Sequence, residues 1–138
     1  MIRKFYAETS AGQVHGRFLE GGSDKPPLVC LPPAPTTSLY YATIMPMLAN
    51  DRDVISLDYP GYGGSDRMDG EPRMEQYAQI VFEALDSVDR PGPFDLLGLH
   101  SGCLVALEMA LSVPDWIRRI VMVDVLSDLN VNVKRVKF

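Results

Sequence analysis

The 138-residue chain predicts an α/β fold: a mostly parallel sheet, opened by an antiparallel hairpin and crossed by helices. Three observations predict it. Short, nearly continuous apolar runs at residues 27–31 and 54–57 read as central strands covered on both faces. Runs with helical periodicity stand between such strands, which joins them by crossovers and makes them parallel. At the front, residues 2–9 and 13–19 flank Ser10-Ala11-Gly12, a turn signal between two extended segments.

The elements follow in order. After the hairpin and the 27–31 strand, residues 38–50 read as a helix that Ser38 can cap, with Leu39, Ile44, Met47 and Leu48 along it. Pro46 falls inside that run and is expected to kink or split it. Beyond the 54–57 strand, residues 61–73 form one long irregular loop. Residues 74–89 give the cleanest helix: Met74, Tyr77, Ile80, Val81, Ala84, Leu85 and Val88 line one face, opposite Glu75, Gln79, Glu83 and Asp86. A strand follows at Phe94-Asp95-Leu96-Leu97. The next helical run, residues 103–111, is apolar nearly all round with only Glu108 charged, so burial beneath other elements is expected. Ile120-Val121-Met122-Val123 is the last clear strand, giving a hairpin and then four parallel strands with three crossovers.

Residues 1–125 are thus one domain, and 126–138 a divergent tail whose period-two alternation over 129–133 suits an edge strand. If the sheet ends at 120–123, its open edge predicts association with a second copy of the chain.

Composition narrows the partners. With 46% apolar and 22% charged residues the chain is ordinary for a soluble globular protein. A net charge of −5 argues against a nucleic-acid or anionic-membrane surface. Three of the 13 basic residues fall within 134–138, a cluster too short to read as a binding patch. No secretory h-region follows Met1-Ile2-Arg3-Lys4, and no run approaches the ~20 apolar residues of a membrane span. Cys30 and Cys103 lie far apart in apolar segments and read as buried free thiols, which places the chain in a reducing cytoplasm. Neither metal-ligand spacing nor a dinucleotide-binding glycine motif is present, so no metal or cofactor is expected.

The segment that carries chemistry is Gly98-Leu99-His100-Ser101-Gly102. It sits between a strand and a helix, and small residues two before and two after the middle position let a sharp turn expose the middle side chain. Where Gly-x-Ser-x-Gly would place an attacking serine, this chain has His100, and Ser101 stands one place late. Three assignments are open. His100 is the nucleophile, since imidazole forms covalent intermediates; Ser101 attacks from a register shifted by one, with Leu99 and Cys103 then crowding the turn; or the turn does no chemistry and Ser101 caps the helix.

Together with three other segments, this motif resembles the α/β-hydrolase fold family. Residues Asp58-Tyr59-Pro60-Gly61-Tyr62-Gly63-Gly64-Ser65-Asp66 match the family's Asp-x-Pro-Gly-x-Gly-x-Ser-Asp turn. Leu31-Pro32-Pro33-Ala34-Pro35 stands where many members have Leu-His-Gly-x-Pro, and Arg118 to Asp124 resembles the strand after the nucleophile helix. The resemblance implies a three-layer α/β-hydrolase-like sheet, here truncated: the lid, the last strands and the catalytic histidine would follow in a longer chain. It implies a cofactor-independent hydrolase of ester- or amide-type carbonyl substrates, weak or inactive as a lone chain. The alternative is a module that binds a small anion or self-associates without catalysis. The family's oxyanion donors fall on the backbone N–H groups of Ser101 and Ala34. Asp58 and Asp66 are read as turn formers. Asp124 is read as capping a loop, with recruitment as an acid the alternative, and His15 is expected to face solvent.

Overall fold

The computed structural model describes residues 1–90 and 92–125. Strands β1 (Arg3–Thr9) and β2 (Gly12–Leu19) form the antiparallel hairpin, in register from Arg3 opposite Phe18 to Thr9 opposite Gly12. They are followed by β3 (Leu28–Leu31), α1 (Met45–Leu48), β4 (Val54–Leu57), α2 (Met74–Ser87), β5 (Phe94–Leu99), α3 (Ser101–Ser112) and β6 (Ile117–Val123). The six strands lie in the order β1-β2-β4-β3-β5-β6, with β4, β3, β5 and β6 mutually parallel and β2 antiparallel to β4. This is the predicted hairpin, four parallel strands and three crossovers.

The apolar runs make three layers because successive residues of a strand point to opposite faces. Val29 and Leu31 pack with Ile80, Val81 and Leu85 of α2 and with Val105 and Met109 of α3. Cys30, between them, packs on the opposite side with Tyr41, Met45 and Val54. All four residues of β4 are buried, which is why its sequence shows no polar alternation.

Pro46 splits the predicted 38–50 helix as expected. A 3-10 turn, Ser38–Tyr41, precedes α1, and Pro46 sits in the first turn of α1, where its missing N–H has no helical partner to lose. The capping residue is Thr37, whose hydroxyl accepts from the Leu39 N–H at 3.3 Å. Ser38 is buried and accepts from Arg17 instead. Helix α2 ends two residues before the predicted limit, where Asp89 takes φ 54° and the Arg90 N–H returns to the Leu85 carbonyl. Helix α3 departs further from expectation. Gly102, Cys103, Val105, Ala106 and Met109 are buried, but Leu111 is exposed, because only one side of α3 is covered among the described residues. The tail and its suggested edge strand lie outside the described residues.

Two polar features of the sheet were not foreseen. His15, expected at the surface, is only 6% exposed and its Nδ1 lies 2.8 Å from Asp58 Oδ2. The loop after β4 folds back over the end of β2. The His15 N–H donates to Ser65 Oγ, Ser65 Oγ–H donates to the Asp58 carbonyl, and the Asp58 N–H returns to the His15 carbonyl. Asp58 does shape the turn, accepting from the Gly64 N–H at 3.0 Å and, beyond the turn, from the Ser38 N–H at 2.7 Å. Asp95, the only charged residue of β5, accepts from Arg52 Nη1 at 2.7 Å and from Arg118 Nε at 2.8 Å, tying three strand beginnings together. The Arg118 guanidinium, with burial opposing it and Arg52 assisting, holds the Asp95 carboxyl below its ordinary value.

Candidate active site at the β5–α3 turn

Strand β5 ends at Leu99, α3 begins at Ser101, and His100 alone makes the turn, with φ 50° and ψ −119°. That backbone conformation is strained for a residue with a Cβ, at about 1–3 kcal/mol. Glycines on either side make it attainable. A Cβ on Gly98 would lie 2.8 Å from the Cys103 backbone, and one on Gly102 would lie 2.1 Å from the Leu31 carbonyl oxygen. The turn is also tied down by hydrogen bonds: the His100 N–H donates to the Val123 carbonyl at 3.1 Å, and the Cys103 N–H donates to the His100 carbonyl at 3.0 Å.

The His100 side chain is 41% exposed, and its Nε2 lies 3.0 Å from Asp124 Oδ2. Asp124 also takes a positive φ, 53°. Its role as a loop cap is therefore incomplete, since its carboxylate faces the imidazole. The pairing arises from the register of the parallel strands: Leu99 of β5 is opposite Val123 of β6, so the residues that follow each strand meet. Neither sequence segment signals the other, and only the strand pairing could have revealed it.

Ser101 is the first residue of α3 and not the turn residue. Its hydroxyl does not cap α3, as the third sequence assignment had it; it accepts from the Ala34 N–H at 2.8 Å. That bond joins the Pro-rich loop after β3 to the start of α3 and brings the two backbone segments named as oxyanion donors into contact. Cys103 lies just below, its Sγ 3.3 Å from the Gly98 carbonyl. Burial pushes its thiol up, and pushes that of Cys30 up to about 12, so both are poor thiolate nucleophiles. His15 stands at the same edge of the sheet but is separated from His100 by β4 and β3. Among the described residues no group of three or more His, Cys, Asp or Glu could hold a metal ion, and no helix is long and apolar enough to cross a membrane.

Comparison with known proteins bears on this arrangement. The family model described as Thioesterase domain matches residues 26–125. A fluoroacetate dehalogenase from a Burkholderia species is 31% identical over 122 residues, covering 83% of this chain and 39% of that protein. Among solved structures, haloalkane dehalogenase DbeA from Bradyrhizobium elkani superposes with a TM-score of 0.81 at 24% identity, over 91% of this chain and 43% of its own. A thermophilic esterase from Thermogutta terrifontis gives a TM-score of 0.77 at 22% identity, over 91% and 46%. The chain therefore spans less than half the length of the relatives it matches.

Proposed function

Because the chain belongs to the thioesterase domain family and folds as an α/β-hydrolase, we propose that it acts on acyl compounds (thioesters, esters or amides) with His100 as the nucleophile. The observation that carries this reading is the strained φ of 50° at His100, maintained between two glycines at which an added Cβ would meet backbone at 2.8 Å and 2.1 Å. Strain of this kind persists where surrounding structure enforces it, and it presents the side chain of the turn residue to solvent.

The chemistry is acyl transfer in two steps. The lone pair of a ring nitrogen attacks the carbonyl carbon, and the π pair moves to oxygen. The resulting oxyanion is received by the backbone N–H groups of Ser101 and Ala34, the latter exchanging its present bond to Ser101 Oγ for one to the oxyanion. Collapse expels the thiolate or alkoxide, or, for an amide, the amine after its nitrogen has taken a proton from solvent, and leaves an acyl-imidazolium. Water then attacks that carbonyl; the acid departs, the ring recovers its lone pair, and the released proton neutralises the leaving group. The chain holds two histidines, and His15 is committed to Asp58, so no second imidazole serves as general base. Turnover by this chain alone is accordingly expected to fall orders of magnitude below that of a complete triad.

An activated ester tests the reading. With p-nitrophenyl acetate, slow saturable release of p-nitrophenol is expected, lost in His100→Ala and retained in Ser101→Ala. Release that is indifferent to His100→Ala overturns it, as does release lost only in Ser101→Ala, which would restore the shifted register.

A second reading, self-association, is favoured by β6. Val121, Met122 and Val123 are 55%, 40% and 45% exposed on a strand whose outer edge is unpaired among the described residues. At roughly 25 cal/mol per Å², covering even a few hundred Å² there is worth several kcal/mol. Sedimentation across a micromolar concentration series is expected to show a rising dimer fraction; a strictly monomeric species with a sharp unfolding transition contradicts it.

A further inference from the structure

We infer that Asp124 is a positioning residue for His100: its carboxylate fixes the proton on Nε2, leaving the Nδ1 lone pair as the attacking atom. The inference rests on the reading of His100 as nucleophile and adds which ring nitrogen reacts and what selects it. Oδ2 of Asp124 lies 3.0 Å from Nε2. An ionised carboxylate is acceptor-only, so a ring nitrogen at that distance carries hydrogen; a bare lone pair there would face a negative oxygen. With Nε2 protonated, a neutral ring has its lone pair on Nδ1.

A second observation supports deliberate placement. His100 and Asp124 are both non-glycine residues at positive φ, 50° and 53°, and they follow directly on two strands in parallel register. The strained turn at His100 (φ 50°, ψ −119°) is thus retained where its side chain faces the carboxylate. The His100 N–H bond to the Val123 carbonyl locks the backbone on which both side chains stand. The side chains are 41% and 69% exposed, so an ion pair here adds little to stability. What the carboxylate supplies is a tautomer and, once Nδ1 is acylated, a counter-charge for the acyl-imidazolium.

The positive φ of Asp124 supplies a clean variant. Asp124→Gly removes the carboxylate and suits the backbone, so folding is retained; Asp124→Glu restores the charge on a longer arm. The first measurement is long-range proton–nitrogen NMR of the ring nitrogens in the unliganded chain, at a pH where the imidazole is neutral. Nε2–H is expected as the single tautomer in the parent chain, relaxing in Asp124→Gly toward the mixture shown by free histidine. The second is the rate of the first turnover with p-nitrophenyl acetate, expected to fall about tenfold or more in Asp124→Gly and to recover in part in Asp124→Glu. An Nδ1–H tautomer in the parent chain, or a tautomer and acylation rate untouched by Asp124→Gly, overturns the inference. If the tautomer responds as stated but no acylation occurs in any variant, the positioning stands and the nucleophile assignment fails.

Discussion

Gly102→Ala is expected to destabilise the chain by about 3 kcal/mol, a large share of the ~5–15 kcal/mol that holds an ordinary domain folded. The added Cβ would lie 2.1 Å from the Leu31 carbonyl oxygen, 2.9 Å from its carbon and 3.1 Å from the Pro32 carbonyl oxygen. These are backbone atoms at the end of β3 and just beyond it, with Leu31 in register against Gly98 of β5, so they cannot swing away as a flexible side chain would. Relief requires α3 to lift from the sheet, opening contacts of Val105, Ala106 and Met109 in the main core. Alanine's better helix propensity returns at most ~1 kcal/mol. A urea titration followed by circular dichroism checks this, and a midpoint equal to that of the parent chain contradicts it.

Asp58→Ala is expected to cost about 3–5 kcal/mol. The carboxylate is 2% exposed and accepts three hydrogen bonds, from the Ser38 and Gly64 N–H groups and from His15 Nδ1. Truncation strands three donors and opens a small cavity beneath the 58–66 turn. Gly63, whose Cβ would lie 2.0 Å from Asp58 Oδ2, shows how tightly the turn closes on this group. Burial raises the Asp58 carboxyl, but the bonds from Ser38, Gly64 and His15 outweigh it and hold the carboxyl below its ordinary value. Asp95 is lowered too, by Arg118 and Arg52. The sign follows from linkage: depressed carboxyls stabilise the fold fully above the unfolded value of about 3.9, and that contribution is lost as pH falls through the lower folded values. Acid titration of the parent chain should therefore show unfolding below pH ~4, and Asp58→Ala should flatten the loss. Identical acid limbs in the two proteins would contradict the assignment.

Hydrogen-bond partners decide such effects, and they are where the amino-acid sequence was least legible. Pro46 announced a break because its ring and missing N–H act within a single turn. The face of α2 was readable because an apolar stripe at helical spacing has one way to be buried: Ile80, Val81, Ala84 and Leu85 all lie in the core. His15 departs from the rule that a polar residue in a hairpin strand faces solvent. Its burial depends on a loop more than forty residues later folding back to supply Asp58 and Ser65. The full burial expected of α3 failed because a helix apolar all round is covered only where neighbours exist, and the described residues provide them on one side.

The sequence by itself determined the α/β architecture, the hairpin followed by four parallel strands, and the glycine-flanked turn after β5. These follow from local periodicity and from the steric demand for small residues at a close approach, both of which act over a few residues. Only the tertiary structure decided that Asp124 would stand 3.0 Å from His100, that Ser101 would accept from Ala34, and that His15 and Asp58 would be buried together. Those pairings depend on which strands lie side by side and in what register. Such long-range geometry is set by the packing of the whole sheet, and it leaves no periodic trace in the segments that it joins.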